Sequence, residues 1–220
     1  NIMLKISGES LAGDKEQGFD FDILNDLSQN IKILTEKNIS ISIVLGGGNF
    51  IRGSSFSNGV VDRVTSDYMG MLGTVMNSLA LQSNLEKIDV PSRVMTAISI
   101  NRVAEPYIKN KATKHLEKKR VVIFASGTGN PFFSTDTAAV LRASEMKSDI
   151  ILKGTKVDGI YDKDPITNDN AKKISEISYS DYLGQDIKVM DATAISLAKD
   201  RNLPIIIFSI MNSSNIIDII

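Results

Sequence analysis

Residues 127–136 combine the residue types that bind phosphate groups in proteins. They lie between an apolar run at residues 121–125 and a helix-like pattern that begins at Thr137. A loop rich in glycine and hydroxyl groups, placed after a strand and before a helix, can turn its N–H groups toward an anion. Phosphate chemistry is therefore the first hypothesis. The segment reads Gly127, Thr128, Gly129, Asn130, Pro131, Phe132, Phe133, Ser134, Thr135, Asp136.

Three further segments follow predicted strands and carry glycine or charged residues. Lys5 and Gly8 end the first apolar run, and the glycines at 46–48, followed by Arg52, end the second. Ordering consecutive glycines costs chain entropy, so their presence needs a reason. A loop whose N–H groups face an anion would be one reason, and a tight turn is the alternative. Residues 153–165 mix lysines, carboxylates and a tyrosine. Together the segments predict a site for nucleotide phosphates.

Composition limits the classes of protein that fit. The chain has 220 residues, is 42% hydrophobic, and has 25 basic and 26 acidic residues, for a net charge of −1. This balance gives no general attraction to nucleic acid or to an anionic membrane. The absence of cysteine excludes disulfides and thiolate metal sites. No apolar run approaches a membrane span, so we expect a soluble, cytoplasmic protein.

The spacing of apolar residues alternates between strand and helix patterns along the chain. This alternation predicts an α/β fold with a mostly parallel central sheet and helices on both faces. We expect one domain over residues 1–220, with two lobes at roughly 1–145 and roughly 146–220. Strands are predicted at 2–7, 39–45, 93–100, 120–125, 149–152 and 204–209, and helices at 21–37, near 61–85, 105–118, 135–147 and 192–202.

In this order, the segments resemble the bacterial-type UMP kinases of the amino acid kinase family. The likeness covers residues 2–210 and is most specific in residues 128–136 and in the Asp67, Met69, Gly70, Met71 segment. It implies an amino acid kinase-like three-layer sandwich and transfer of the γ-phosphoryl group from MgATP to UMP. The lobe at roughly 1–145 would then be the acceptor-side lobe, and the lobe at roughly 146–220 the ATP-side lobe. Further matches are Lys5 to Glu9, Gly46 to Gly53, Val75 to Asn77, Lys153 to Gly159 and Lys188 to Asp191.

The resemblance also implies roles for individual residues. Lys5 would contact the transferring phosphoryl group, and Asp136 would orient lysine or Mg²⁺ at the reaction centre. Asp67 would bind the ribose hydroxyls of UMP. The residues implied at ATP are Lys5, Ile6, Ser7, Gly8, Gly48, Arg52, Thr155, Tyr161 and Asp164. The residues implied at UMP are Gly47, Arg52, Asp67, Thr128, Gly129, Asn130, Pro131, Phe132, Phe133, Ser134 and Thr135.

Cofactor, effectors and assembly are implied in the same way. Mg²⁺ would arrive with ATP, without a protein-only metal site. A homohexamer is expected, with the helix near 61–85 as an interface element, and GTP or UTP as possible effectors. Residues 13–20 differ from the family pattern, which leaves control by GTP open. The family ends in another strand beyond Ile220, so the chain is expected to be cut short.

Two other functions remain compatible with the residues. A carboxylate or carbamate kinase of the same fold would share the first glycine segments, but would leave Asp67 and residues 128–133 without a nucleoside to bind. A nucleotide sensor or storage protein would bind without turnover. Phe132 and Phe133 are expected to be buried, His115 to face solvent on a helix, and Asp191 to be either a site residue or a helix N-cap.

Overall fold

Nine strands and eight helices alternate along the chain in the computed structural model, which describes residues 1–51, 61–185, 187, 189–211 and 215–220. The strands are β1 (Ile2–Ile6), β2 (Ile41–Leu45), β3 (Ser92–Thr96), β4 (Glu105–Pro106), β5 (Val121–Ala125), β6 (Ile150–Thr155), β7 (Ile160–Tyr161), β8 (Lys173–Ile174) and β9 (Ile205–Ser209). The helices are α1 (Gly8–Leu11), α2 (Phe21–Glu36), α3 (Arg63–Lys87), α4 (Lys109–Glu117), α5 (Thr135–Met146), α6 (Tyr179–Gly184), α7 (Ala192–Arg201) and α8 (Asn215–Asp218).

The central sheet has seven strands in the order β4-β3-β5-β2-β1-β6-β9, and every pair is parallel. Because all strands run the same way, their carboxyl ends meet at one edge of the sheet, where open α/β sheets bind ligands. Strand β1 lies between β2 and β6, and Lys5 is the register partner of Lys153. The sheet thus brings the two lysines side by side.

Helices cover both faces of the sheet, since each face of the inner strands is apolar. Helix α2 begins after Asp20, whose side chain accepts the N–H groups of Asp22 and Ile23. Its buried residues recur with helical spacing and pack with α3 and α8 against one face. The other face is covered by α4 to α7, and α5 presents small residues that let it lie close to the strands. They are Ala138, Ala139 and Ala143.

The predicted fold class is confirmed, and the predicted elements overlap the observed ones. The patterns did not predict the short antiparallel pair of β7 and β8, nor the short elements α1, α6, α8 and β4. The expectation that His115 faces solvent is wrong. The side chain of His115 is only 14% exposed, because its Nε2 lies 3.2 Å from Glu105 Oε2 and its Nδ1 lies 3.1 Å from Arg120 Nη1.

Within the described part of the chain, every helix is too short or too polar to cross a lipid bilayer.

Candidate active site

Two buried lysines share one buried carboxylate at the carboxyl edge of the sheet. Lys5 Nζ lies 2.8 Å from Asp136 Oδ1, and Lys153 Nζ lies 2.6 Å from Asp136 Oδ2. Lys153 also donates a hydrogen bond to the carbonyl of Val189. Strands β1 and β6 supply the lysines, and the first turn of α5 supplies the aspartate. We refer to these three residues as the lysine–aspartate cluster.

The charges of the cluster depend on one another. Burial raises the pKa of Asp136, but the ammonium groups of Lys5 and Lys153 outweigh burial and hold this pKa below its ordinary value. Burial and the charge of Lys5 lower the pKa of Lys153 to about 8, although Asp136 opposes the shift. With Lys5 and Lys153 both protonated, the cluster carries one excess positive charge. The cluster can therefore attract a further anion in addition to the carboxylate of Asp136.

A cavity of about 660 Å³ opens beside the cluster. Both lysines line it, and so do the predicted residues Ser7, Thr155 and Tyr161, together with Asp164. The volume is in the range of sites for small molecules and cofactors. Further lining residues, which the sequence analysis did not assign individually to a ligand, are Glu9, Lys156, Val157, Gly159, Asp162, Lys163, Pro165, Ile166, Ile187 and Val189.

Some of these polar groups already have partners. The hydroxyl of Tyr161 donates to Asp158 Oδ1 at 2.6 Å, and the hydroxyl of Thr155 donates to the Val157 carbonyl at 2.7 Å. Asp164 accepts the N–H of Ile166 at 2.9 Å, which orders the turn at the cavity rim. These contacts shape the wall of the larger cavity.

A second cavity of about 170 Å³ lies against the glycine loop, which we define as residues 46–48. The predicted residues that line it are Gly47, Gly48, Asp67, Phe133 and Thr135. A Cβ atom on Gly48 would lie 3.0 Å from Cγ of Glu9, a residue that lines the larger cavity. The glycine loop, which lines the smaller cavity, therefore lies next to a residue of the larger one.

Close packing around the loop explains why glycine stands at these positions. A Cβ atom on Gly8 would lie 2.6 Å from Gly48 N and 2.7 Å from Gly46 O, nearer than real contacts allow. A Cβ atom on Gly47 would lie 2.5 Å from the carbonyl oxygen of Gly70 in α3. The loop is thus packed between α1 and α3. It also leads into a tight turn, in which the carbonyl of Gly47 accepts the N–H of Phe50 at 3.0 Å, so the tight-turn alternative stays open.

Asp67 joins α3 to the loop that precedes α5. Its Oδ2 accepts the N–H of Phe132 at 2.7 Å, and Arg63 Nε donates to its two oxygens at 2.9 and 3.0 Å. Arg63 also lies over the ring of Phe132. The carboxylate stands at the rim of the smaller cavity, where it can accept further hydrogen bonds.

The loop at residues 127–134 differs in part from the sequence expectation. Phe132 and Phe133 are 67% and 50% exposed, so the expected burial of this pair is wrong. Among the described residues that line the smaller cavity, none comes from residues 128–132. Thr128 and Asn130 instead contact each other, with the N–H of Asn130 3.2 Å from Thr128 Oγ1.

Other predicted residues stand behind the cavities. Ile6 is fully buried in the core, and Gly8 packs on the glycine loop. Ser134 is the N-cap of α5, where its hydroxyl accepts the N–H groups of Asp136 and Thr137 at 3.0 and 3.1 Å. Arg52 and Lys188 lie outside the described residues.

Lys153 and Asp191 are the functional candidates that sequence reasoning left without a firm role. The signal for Lys153 was available, because a lysine near the end of β6 mirrors Lys5 near the end of β1. Asp191 is the N-cap of α7 and accepts the Ala194 N–H at 3.0 Å. It also accepts the hydroxyls of Ser134 and Thr137, and so fastens α7 to the start of α5.

Comparison with known proteins identifies the family of this chain. A family model described as the amino acid kinase family matches residues 2–209. The chain belongs to this family. It is 52% identical, over 220 residues, to the uridylate kinase of Sulfurimonas denitrificans, and the match covers 100% of this chain and 93% of that protein.

Two solved members have the same structure over nearly the whole chain. The UMP kinase from Bacillus anthracis gives a TM-score of 0.93 at 40% identity, covering 98% of this chain and 89% of that one. The UMP kinase from Ureaplasma parvum gives a TM-score of 0.89 at 41% identity, covering 94% of this chain and 88% of that one. The glycine loop and the lysine–aspartate cluster therefore lie within a shared kinase fold.

Proposed function

We propose that this protein transfers the γ-phosphoryl group of ATP to UMP, giving ADP and UDP. The observation that carries the proposal is the lysine–aspartate cluster, whose two lysines line the larger cavity, while the nearby glycine loop lines the smaller one. Its relatives named uridylate kinase or UMP kinase support the choice of acceptor. Formation of UDP would place the protein in pyrimidine nucleotide and CTP synthesis.

The larger cavity is proposed to hold ATP. Lys5 and Lys153 would face the γ-phosphoryl group, and the residues near Tyr161 and Asp164 would surround the nucleoside end. Phosphoryl transfer needs positioning and charge stabilisation more than covalent chemistry. The excess positive charge of the cluster would therefore lower the barrier as negative charge spreads over the transferring group. In this placement Lys5 contacts ATP, although residues 1–145 were expected to form the acceptor-side lobe.

Asp136 would hold the two ammonium groups apart at fixed positions. Its lowered pKa keeps it ionised, so it is a poor proton acceptor. A base is not required at this point, because the attacking oxygen of UMP belongs to a phosphate that is already ionised. Asp136 is thus proposed to orient the lysines rather than to activate the nucleophile.

The smaller cavity is proposed to hold the phosphate and ribose of UMP. Gly47 and Gly48 would offer N–H groups to the phosphate, Thr135 a hydroxyl, and α5 its amino-terminal end. Asp67 would accept the ribose hydroxyls. Because residues 128–132 lie off this cavity, contacts between them and uracil require the loop to close over UMP. Arg52 keeps its predicted role at the phosphates as a proposal.

A kinase that uses ATP needs a divalent cation, and we propose Mg²⁺. The described residues contain no group of three or more side chains suited to hold a metal ion, and both oxygens of Asp136 contact lysines. The ion would therefore bind chiefly to phosphate oxygens and water, as Mg²⁺ often does in kinases. There it would neutralise charge on the phosphates.

A coupled assay of ADP release tests the function directly. The purified protein would be given MgATP with UMP, CMP, acetylglutamate or aspartate in turn. We expect rapid release with UMP and little with the carboxylates. Turnover of acetylglutamate without turnover of UMP would favour the carboxylate kinase, and tight nucleotide binding without any turnover would favour the sensor.

Assembly, location and effectors stay predictions from the resemblance. The homohexamer is supported by an apolar row on α3, made of Val64, Tyr68, Leu72 and Met76, which are 38%, 42%, 50% and 44% exposed. These residues are four positions apart and so share one helix face. Exposed rows of this kind mark contact surfaces. A cytoplasmic location and control by GTP or UTP are expected as before.

A further inference from the structure

Two buried amide side chains lie beneath the glycine loop. Asn49, which directly follows the loop, and Asn77 of α3 are both fully buried. Asn77 Nδ2 donates to Asn49 Oδ1 at 2.7 Å, and Asn49 Nδ2 donates to Asn77 Oδ1 at 2.9 Å. The two amides therefore pair with each other in both directions.

Each amide uses its second N–H on a backbone carbonyl. Asn77 Nδ2 donates to Gly46 O at 2.6 Å, and Asn49 Nδ2 donates to Gly18 O at 2.8 Å. A carbonyl oxygen can only accept, so both contacts must come from NH₂ groups, which determines the orientation of both amides. The pair thus places all four of its N–H donors, as a buried polar network requires.

The bond to Gly46 sets the direction of the loop's first peptide. In a trans peptide the C=O and N–H groups point in opposite directions. With Gly46 O held against α3, the N–H of Gly47 is turned away from that helix. Among the described residues, neither Gly47 N nor Gly48 N has a protein acceptor, and both glycines line the smaller cavity.

Without such a bond the glycine loop could adopt many alternative backbone conformations. Glycine populates more of backbone conformational space than any other residue, and ordering it costs the most entropy. A loop of consecutive glycines therefore needs an external contact to keep its N–H groups aimed at one point. Packing against Gly70 limits how far the loop can move, but a steric contact does not choose the direction of a carbonyl.

We propose that Asn77 is a positioning residue for phosphoryl transfer, acting through the Gly46 carbonyl to aim the N–H groups of the glycine loop at the acceptor phosphate. This inference rests on the proposed function, which places the phosphate of UMP at the loop. Asn49 holds the amide of Asn77 in the orientation that this bond needs.

The chain offers a matched control on the same helix. Asn84 also lies on α3, and its Nδ2 donates to Ser28 Oγ at 2.9 Å and to the Leu24 carbonyl at 3.4 Å. It therefore ties α3 to α2, chiefly through its bond to Ser28, away from the glycine loop. Asn77→Ala and Asn84→Ala remove the same group from one helix, at sites that differ in what the amide holds.

The experiment compares both variants with the wild-type protein well below their unfolding temperatures. Turnover and the KM values are measured with MgATP and UMP, and the affinity for UMP alone is measured by calorimetry. We expect Asn77→Ala to lower kcat/KM for UMP at least 30-fold and to weaken UMP binding at least tenfold. Asn84→Ala should stay within threefold of wild type in both, even if it unfolds at a lower temperature.

Several outcomes overturn the inference. It fails if folded Asn77→Ala keeps kcat and UMP affinity within threefold of wild type, or if Asn84→Ala loses as much as Asn77→Ala. If Asn77→Ala does not fold, Asn77→Ser is used, since its hydroxyl is too short to reach Gly46 O, and the same limits apply. If the wild type binds UMP but forms no UDP, the proposed function fails, while the binding comparison still tests Asn77.

Discussion

Lys5 and Lys153 contact opposite oxygens of the same carboxylate, that of Asp136. The two lysines are register partners in neighbouring parallel strands, so the sheet itself brings like charges together. Asp136 offsets their repulsion, and burial strengthens every interaction among the three. The arrangement keeps two cations at a fixed spacing at the wall of the larger cavity.

Replacement of Lys5 by methionine is expected to lower kcat by two to three orders of magnitude. A charge about 4 Å from developing negative charge, at an effective dielectric constant near 20, contributes roughly 4 kcal/mol. That energy corresponds to about a thousandfold in rate. Lys111→Met removes an exposed lysine on α4 and should change kcat less than twofold. A loss of tenfold or less for Lys5→Met would exclude Lys5 from catalysis.

Activity should decrease as the pH rises above about 8. Burial and the charge of Lys5 lower the pKa of Lys153 to about 8, and the neutral amine cannot stabilise the transferring group. The profile of kcat/KM reports the free enzyme and is the one to measure. We expect an alkaline limb with a midpoint near pH 8. A flat profile between pH 7 and 10 would show that Lys153 does not need its charge.

The titration of Lys153 should also affect stability, but in the opposite direction to activity: stability should increase as the pH rises. The folded pKa of Lys153, about 8, is below its ordinary value of 10.5, so between these values the unfolded chain binds more protons. The contribution of Lys153 to the free energy of unfolding therefore increases as the pH rises through this window. Denaturant unfolding of wild type and Lys153→Met isolates it, because methionine does not titrate. A difference between the two that does not change with pH would contradict the shift.

Asp67→Ala is expected to raise the KM for UMP at least tenfold and the KM for ATP less than threefold. The carboxylate stands on the smaller cavity and also holds the N–H of Phe132, so its loss affects only the acceptor side. Asp200→Ala, which removes an exposed carboxylate from α7, serves as the control. Equal increases for both substrates would argue against a contact between Asp67 and ribose.

Leu72→Lys should reduce the mass of the assembly that the protein forms in solution. Leu72 lies within the apolar row of α3, and a buried lysine without a partner would oppose a contact between copies. Leu183→Lys changes a leucine of α6 that is 39% exposed and should leave the assembly intact. Sedimentation velocity measures both. A wild-type monomer would refute the hexamer, and an unchanged mass for Leu72→Lys would exclude this row as the interface.

The sequence predicted the long elements well because their patterns are local. The apolar run of β5 and the helical spacing of α2 each identify one element without reference to its neighbours. Short elements such as β7 and β8 have only two residues each, which is too few to show a repeating pattern of apolar residues. They form because the fold brings the two segments together.

Parts of the site depend on contacts that spacing does not reveal. The pairing of Lys153 with Asp136 needs the register of β1 and β6, and no local pattern gives that register. Phe132 and Phe133 look like core residues by type, yet both are exposed, and only Phe133 lines the smaller cavity. The sequence predicted that His115 lies on the surface, because its partner Glu105 belongs to a different element, β4, and the contact forms only in the fold.

The position of β1 between β2 and β6 has a consequence for synthesis of the protein. On the ribosome, β1 and β2 emerge early, but β6 follows only after more than half of the chain has been translated. Until then one edge of β1 is unpaired, and exposed strand edges promote association between nascent chains. A growing chain therefore lacks the complete lysine–aspartate cluster, because the late pairing that covers the edge of β1 also brings Lys153 to Asp136.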